Sequence, residues 1–287
     1  MQRFGERDAL YQKTIEQFAD LAASKTQALR TNPVGFLIAS AMAGAYVGIG
    51  ILLIFSIGQT IDPALRGLVM GACFGIALTL VVFAGSELFT GHTMFMTFGL
   101  MRGSIRLADV CSSWIMTWVG NLLGAALLAW LFFLGGGGQI LKNGADLIYS
   151  VAAAKMGSPA LALVARGILC NWLVCLALWT SARATSDSAK CILIFWCLFA
   201  FIACGFEHSV ANMTIFSVAL LGNHPPSVSL GGMFYNLVWV TLGNAIAGAM
   251  FVAGAYWHAN APIDAAWSRR ITAWAKRFTA AAPAAAE

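Results

Sequence analysis

Six stretches of the chain, 34–57, 67–100, 109–134, 160–181, 190–221 and 232–258, are each apolar enough over enough residues to cross a lipid bilayer. A hydrocarbon core of about 30 Å takes about 20 apolar residues as helix. No water is present there to satisfy backbone amides, so a chain built this way folds as helices. The expected class is an all-α membrane protein with six transmembrane helices. Composition agrees: 60% of the 287 residues are hydrophobic and 10% charged, far from ordinary soluble usage.

Lys and Arg concentrate in cytoplasmic loops. Arg3, Arg7, Lys13, Lys25 and Arg30 precede the first span, Arg102 and Arg106 follow the second, Arg183 and Lys190 follow the fourth, and Arg269, Arg270, Lys276 and Arg277 lie in the tail. The opposite side receives Arg66, Lys142, Lys155 and Arg166. Both termini are therefore expected in the cytoplasm. The net charge of +5 reflects this membrane-surface bias, and no nucleic-acid partner is expected. MQRFGERDALYQKTIEQFAD mixes charge signs and lacks the apolar core of a secretory signal, so the N-terminus is expected to be retained. Residues 1–32 and 259–287 are expected to be amphipathic helices lying on membrane lipid. Leu10, Tyr11, Ile15, Phe18 and Leu21 make one apolar stripe, and Trp267, Ile271, Trp274 and Phe278 make the other.

Spans two and five are too long for one straight helix, and each is interrupted by polar residues. The first break reads AGSELFTGHTMF from Ala84, the second CGFEHSVANMTIF from Cys204. Gly85 and Glu87 of the first recur as Gly205 and Glu207 of the second. Spans three and six share a further signature, Gly120-Asn121 with Gly124 and Gly243-Asn244 with Gly248. Residues 33–134 and 160–258 thus look duplicated, and an odd number of spans per half makes them inverted repeats. Paired broken helices mark a site at the membrane midplane. Half-helix N-termini near Thr93 and Asn212 are expected to offer N–H groups and positive dipole ends there, which suits an anion.

With NPVGF at the first span, SELFTGHTMF and GFEHSVANM at the breaks, CNWLVCLALW in span four and LGNAIAG in span six, the chain resembles the formate/nitrite transporter family from about Asn32 to Trp257. GHTMF resembles the nitrite-channel branch. The resemblance implies an aquaporin-like six-span channel domain over 33–258, five protomers in a ring in a bacterial cytoplasmic (inner) membrane, and one pore in each. It further implies His208 as the central pore histidine with Thr90 as its partner. Constrictions would be formed by Phe74 and Phe201 on the periplasmic side and by Leu78, Phe89 and Val174 on the cytoplasmic side. Asn171 would face the vestibule, Lys155 would stand at the entrance, and Asn212 would belong to the polar shell of the second break. Such a protein is a channel or transporter, with no catalytic residues, cofactor or metal expected.

A bare anion in a dry slit of Phe and Leu faces a desolvation cost of several kcal/mol. A neutral acid does not. An imidazole with a reference pKa near 6.5 midway along the pore can give a hydrogen bond or a proton, directly or through a water, to a weak-acid anion drawn in by Lys155. The anion then crosses as the neutral acid or paired with a proton. Nitrite, formate and hydrosulfide all fit this chemistry. Glu87 and Glu207 are expected to accept backbone N–H bonds at the breaks, and His92 to cap the half-helix after the first. Two other classes share some features: a haem protein ligated by His92 and His208, and an ammonia or water channel, which Lys155 opposes. The seven cysteines form no CxxC pair and read as small buried hydrophobes.

Overall fold

The computed structural model describes residues 3–142 and 146–260, with side chains from Tyr11 onward. Among them there is helix and no strand. The elements in order are α1 (Arg3–Thr31), α2 (Pro33–Gly58), α3 (Arg66–Cys73), α4 (Ile76–Ala84), α5 (Phe89–Arg102), α6 (Leu107–Leu134), α7 (Asp146–Met156), α8 (Ala160–Arg183), α9 (Asp187–Ala203), α10 (Ser209–Leu221), α11 (Leu230–Ile246), a π-helical stretch (Ala247–Gly254) and α12 (Ala255–Asn260). Five helical stretches among the described residues are long and apolar enough to cross a membrane: Pro33–Gly58, Arg66–Ala84, Leu107–Leu134, Ala160–Arg183 and Leu230–Asn260. The long apolar run at 67–100 divides into α3–α4 and α5, and that at 190–221 into α9 and α10.

The turn from α1 into α2 is set locally. The Asn32 side chain accepts the Gly35 N–H at 2.9 Å, and Pro33 opens the helix where its missing N–H costs nothing. Glycine lets two helix pairs approach at backbone distance: a Cβ on Gly124 of α6 would strike the Ala41 carbonyl of α2, and one on Gly243 of α11 the Val164 carbonyl of α8. Small residues serve this purpose between helices in lipid.

Both breaks are bonded in the same way. Helices α4 and α9 each end on a left-handed glycine, Gly85 (φ 73°) and Gly205 (φ 68°), a conformation that favours glycine. Four residues later the half-helices α5 and α10 begin at Phe89 and Ser209, not near Thr93 and Asn212 as the sequence suggested. The Asn121 side chain accepts the Phe89 N–H at 2.9 Å and donates to the carbonyls of Ser40 and Glu87 at 2.7 and 2.9 Å. Asn244 accepts the Ser209 N–H at 2.9 Å and donates to the carbonyls of Gly167 and Glu207 at 2.8 and 3.0 Å. The Glu87 and Glu207 N–H groups go to the carbonyls of Ala39 and Arg166.

This corrects the role expected of the two glutamates. The backbone at the breaks is held by asparagines, each an amide offering one acceptor and two donors at one point. That frees the carboxylates for charged partners.

Helix α1 also departs from expectation. The described part of its stripe packs on protein: Ile15 and Phe18, with Ala19, are buried against Phe95, Phe98, Trp179 and Val252, and Tyr11 and Leu21 are partly buried beside them. Phe18 stacks on Phe95 at 5.1 Å between ring centroids. Helix α1 thus packs on the aromatic residues of α5 and α8 and adds ion pairs to Glu87 and Asp109. The amphipathic tail expected at 259–287 lies almost wholly outside the described residues.

Asn121→Ala leaves one N–H and two carbonyls unpaired in a dry interior, at about 1–3 kcal/mol for each buried unsatisfied group. The apparent Tm in detergent is expected to fall by roughly 5 °C or more, and Asn244→Ala should behave alike. Size-exclusion profiles after graded heating measure both; a parent-like Tm for either would contradict the role given to these side chains.

Candidate functional site

The shared break geometry aims the residue just before each half-helix into the centre of the molecule. At the first break this is Leu88, at the second His208. With Val47, Phe74, Ala77, Leu78, Val174, Leu198 and Phe201 they line a narrow cavity of about 10 Å³, in which His208 is the one polar side chain. That volume is at the threshold for a single water molecule. Phe74 and Phe201 meet edge to face with centroids 5.6 Å apart, and Phe201 stacks beside the His208 ring at 5.9 Å. Much of the lining comes in pairs from the two halves: Val47 with Val174, Leu78 with Leu198, and Leu88 with His208.

His208 has its tautomer fixed by local structure. It sits at the N-cap of α10, where Nδ1 accepts the Ala211 N–H at 3.1 Å. A neutral ring then carries its proton on Nε2, which lies 3.3 Å from Thr90 Oγ1. The Ser209 and Ala211 N–H groups at this helix start are thus taken by Asn244 and His208, so the second half-helix contributes its dipole more than free donors.

Two wider cavities flank the constriction. The one beside α7, about 220 Å³, is lined by Lys155, Phe201, His208 and Asn212 among others. There Lys155 Nζ lies 2.8 Å from Glu207 Oε2, which also accepts from Asn212 at 2.6 Å. Asn212 in turn donates to Asn236 at 2.9 Å. The cavity beside α1, about 290 Å³, is lined by Lys25, Leu78, Glu87, Leu88 and His92 among others. The same constellation recurs: Lys25 pairs with Glu87, Glu87 with His92 at 2.6 Å, and His92 Nδ1 with Ser113 Oγ at 2.7 Å.

Several placements differ from the sequence reading. Phe89 does not reach the constriction. It starts α5 and turns outward beside Trp114 into an apolar lateral groove between α6 and α11, and Leu88 takes the position foreseen for it. Asn171 does not face a vestibule. It is fully buried, and its NH2 group has three acceptors in reach for its two hydrogens, the carbonyls of Thr90 and Asn244 and Thr93 Oγ1, bracing α5 against α11, while its Oδ1 has no protein partner among the described residues. His92 is no cap; its two nitrogens are engaged by Ser113 and Glu87. Those of His208 face the Ala211 N–H and, at the longer distance of 3.3 Å, Thr90 Oγ1.

Lys25 was missed by sequence reasoning, as were Leu88 and the bonding roles of Asn121 and Asn244. The repeated Gly-Asn pair held the signal for the asparagines. Lys25 had one too: it continues the 15, 18, 22 spacing of the buried face of α1, where a lysine requires a partner.

Comparison with known proteins fits this geometry. The formate/nitrite transporter family profile matches residues 12–258, which takes in most of α1. The nitrite transporter NirC of Escherichia coli (strain K12) is 50% identical over 92% of this chain and 99% of its own length. The formate channel BtFdhC of Bacillus thuringiensis is 36% identical over 84% of this chain and 93% of its own. Among solved structures, an FNT family ion channel superposes with a TM-score of 0.85 at 50% identity, covering 88% of this chain and all of the other. A pentameric formate channel with formate bound superposes with a TM-score of 0.66 at 25% identity, covering 78% and 96%. The chain belongs to the formate/nitrite transporter family.

Proposed function

We propose that this chain forms a pore for a small monovalent anion of a weak acid, with nitrite as the principal substrate, and that the anion crosses the centre together with a proton at His208. The observation that carries this reading is the single hydrogen-bond donor, His208 Nε2–H, in an otherwise apolar constriction between two cavities that each hold a lysine. A lone charge entering that constriction loses several kcal/mol of hydration. A protonated nitrite keeps one hydrogen bond, to the imidazole, and has no net charge to desolvate. The relatives' names, a nitrite transporter and a formate channel, support the substrate class, and the pentameric neighbour supports a ring of five protomers.

The six spans are read as two inverted halves, 33–134 and 160–258, in a bacterial cytoplasmic membrane. The bias of basic residues supports a reading with α1 and its cavity on the cytoplasmic side and α7 with Lys155 on the periplasmic side. Thr90 orients the imidazole, and Phe74, Phe201, Leu78, Leu88 and Val174 keep water out of the crossing.

His208→Phe removes the donor and fills the constriction, so nitrite uptake into proteoliposomes is expected to fall to background with assembly intact. His208→Asn keeps a donor without a titrating ring. Its flux should persist but lose the part of the parent's pH dependence that comes from proton transfer at the imidazole. An asparagine variant whose flux follows pH like the parent's would sink the mechanism.

Lys155 acts by charge, and in Lys155→Ala the Glu207 carboxylate is left uncompensated beside the cavity. Uptake from the periplasmic side at low nitrite and low ionic strength should drop by roughly tenfold, worth about 1.4 kcal/mol. Adding Glu207→Gln should recover part of it. A double variant no better than the single one would remove the electrostatic role of Lys155.

A further inference from the structure

The two charged constellations match position by position except in one respect. Glu207 is shared between Lys155 and the amide of Asn212, which is held by Asn236. Glu87 is shared between Lys25 and the imidazole of His92, which is held by Ser113. Where the α7 side has an amide that does not titrate, the α1 side has an imidazole. His92 is 1% exposed yet borders the α1-side cavity, and the pore chemistry at His208 makes no use of it.

We infer that His92 makes anion capture in the α1-side cavity pH-dependent: protonated, it takes over Glu87 and releases Lys25 to hold the transported anion. With His92 neutral, its Nε2–H donates to Glu87, Nδ1 accepts the Ser113 hydroxyl, and the charges of Lys25 and Glu87 cancel. A proton added at Nδ1 turns Ser113 from donor to acceptor without moving the ring. The cluster then holds two cations and one carboxylate, and the surplus positive charge is neutralised by an anion beside Lys25.

The surroundings isolate this exchange. Among the described residues, Lys25 from α1 and Glu87 from the break are the charged groups facing His92; α2 presents Phe36, α5 Phe95, and α6 Ser113 and Trp114. Arg30 and Asp109, at the ends of α1 and α6, are paired with each other. The α7 side, with Asn212 and Asn236, has no counterpart. The two mouths therefore respond differently to acid, and a nitrite pore of this design loads more readily from the α1 side when that side is acidic.

This inference rests on the anion-pore reading, and its test separates the two. In vesicles of one known orientation, nitrite flux from the α1 side is measured against concentration at a series of α1-side pH values, from about 8 down to the most acid at which the pore stays assembled, with the other side held constant. The parent's apparent KM on the α1 side is expected to be several-fold lower at the acid end. His92→Asn, which copies the α7 side, should make that KM independent of α1-side pH while the maximal flux keeps the pH dependence due to His208. Lys25→Gln should also flatten the KM, and covers the case in which the His92 variant does not assemble. A parent-like acid shift in either variant, or a parent KM that ignores α1-side pH while nitrite still flows, would overturn the role of His92 alone. A parent that moves no nitrite from either side would overturn the pore reading and this inference together.

Discussion

The structure depends on how two interrupted helices keep their backbone bonded at the depth where lipid offers no partners. An unsatisfied peptide group in hydrocarbon costs several kcal/mol, so a break in a membrane helix survives only where the protein provides a substitute. Asn121 and Asn244 are that substitute. Each clamps the first N–H of a half-helix and two carbonyls from separate segments with one planar amide. The clamps fix where α5 and α10 begin, and so which residue, Leu88 or His208, is presented to the middle of the molecule.

Because the same clamp is used twice, the centre is nearly symmetric, and its chemistry lies in the departures from symmetry. The apolar pairs Val47 with Val174 and Leu78 with Leu198 make a constriction that excludes hydrated ions. Replacing the counterpart of Leu88 by His208 puts one donor into it. Replacing the counterpart of Asn212 by His92 puts one titrating group at a single mouth. Lysines Lys25 and Lys155 stay common to both sides, each tied to a glutamate, buried in the case of Glu207 and partly buried in the case of Glu87.

Much of this was legible in the sequence. Apolar run lengths gave the helices, and the duplicated Gly-x-Glu and Gly-Asn signatures gave the breaks and their relation, because both patterns are set by backbone geometry and local polarity. Side-chain direction was not legible. Leu88 and Phe89 are adjacent apolar residues, and only the start of α5 decides which one points inward. The family resemblance put Asn171 on the vestibule, because a shared motif carries a residue's place in the chain and not its direction, yet its NH2 group is spent on the carbonyls of Thr90 and Asn244. For α1, an amphipathic stripe does not say whether lipid or protein lies opposite. Lys25 in that stripe was the clue that protein does, since its partner Glu87 lies far away in sequence.

The central claim, that the anion crosses the constriction in company with a proton, is tested most directly by measuring charge and proton movement together. Vesicles holding the pore and a lumenal pH indicator are given a nitrite gradient while potassium and an ionophore set the membrane potential. The account predicts that nitrite entry acidifies the lumen in proportion to the nitrite taken up, at a rate insensitive to the imposed potential. Nitrite entry that leaves lumenal pH unchanged and scales with potential, as for a bare anion, would contradict it.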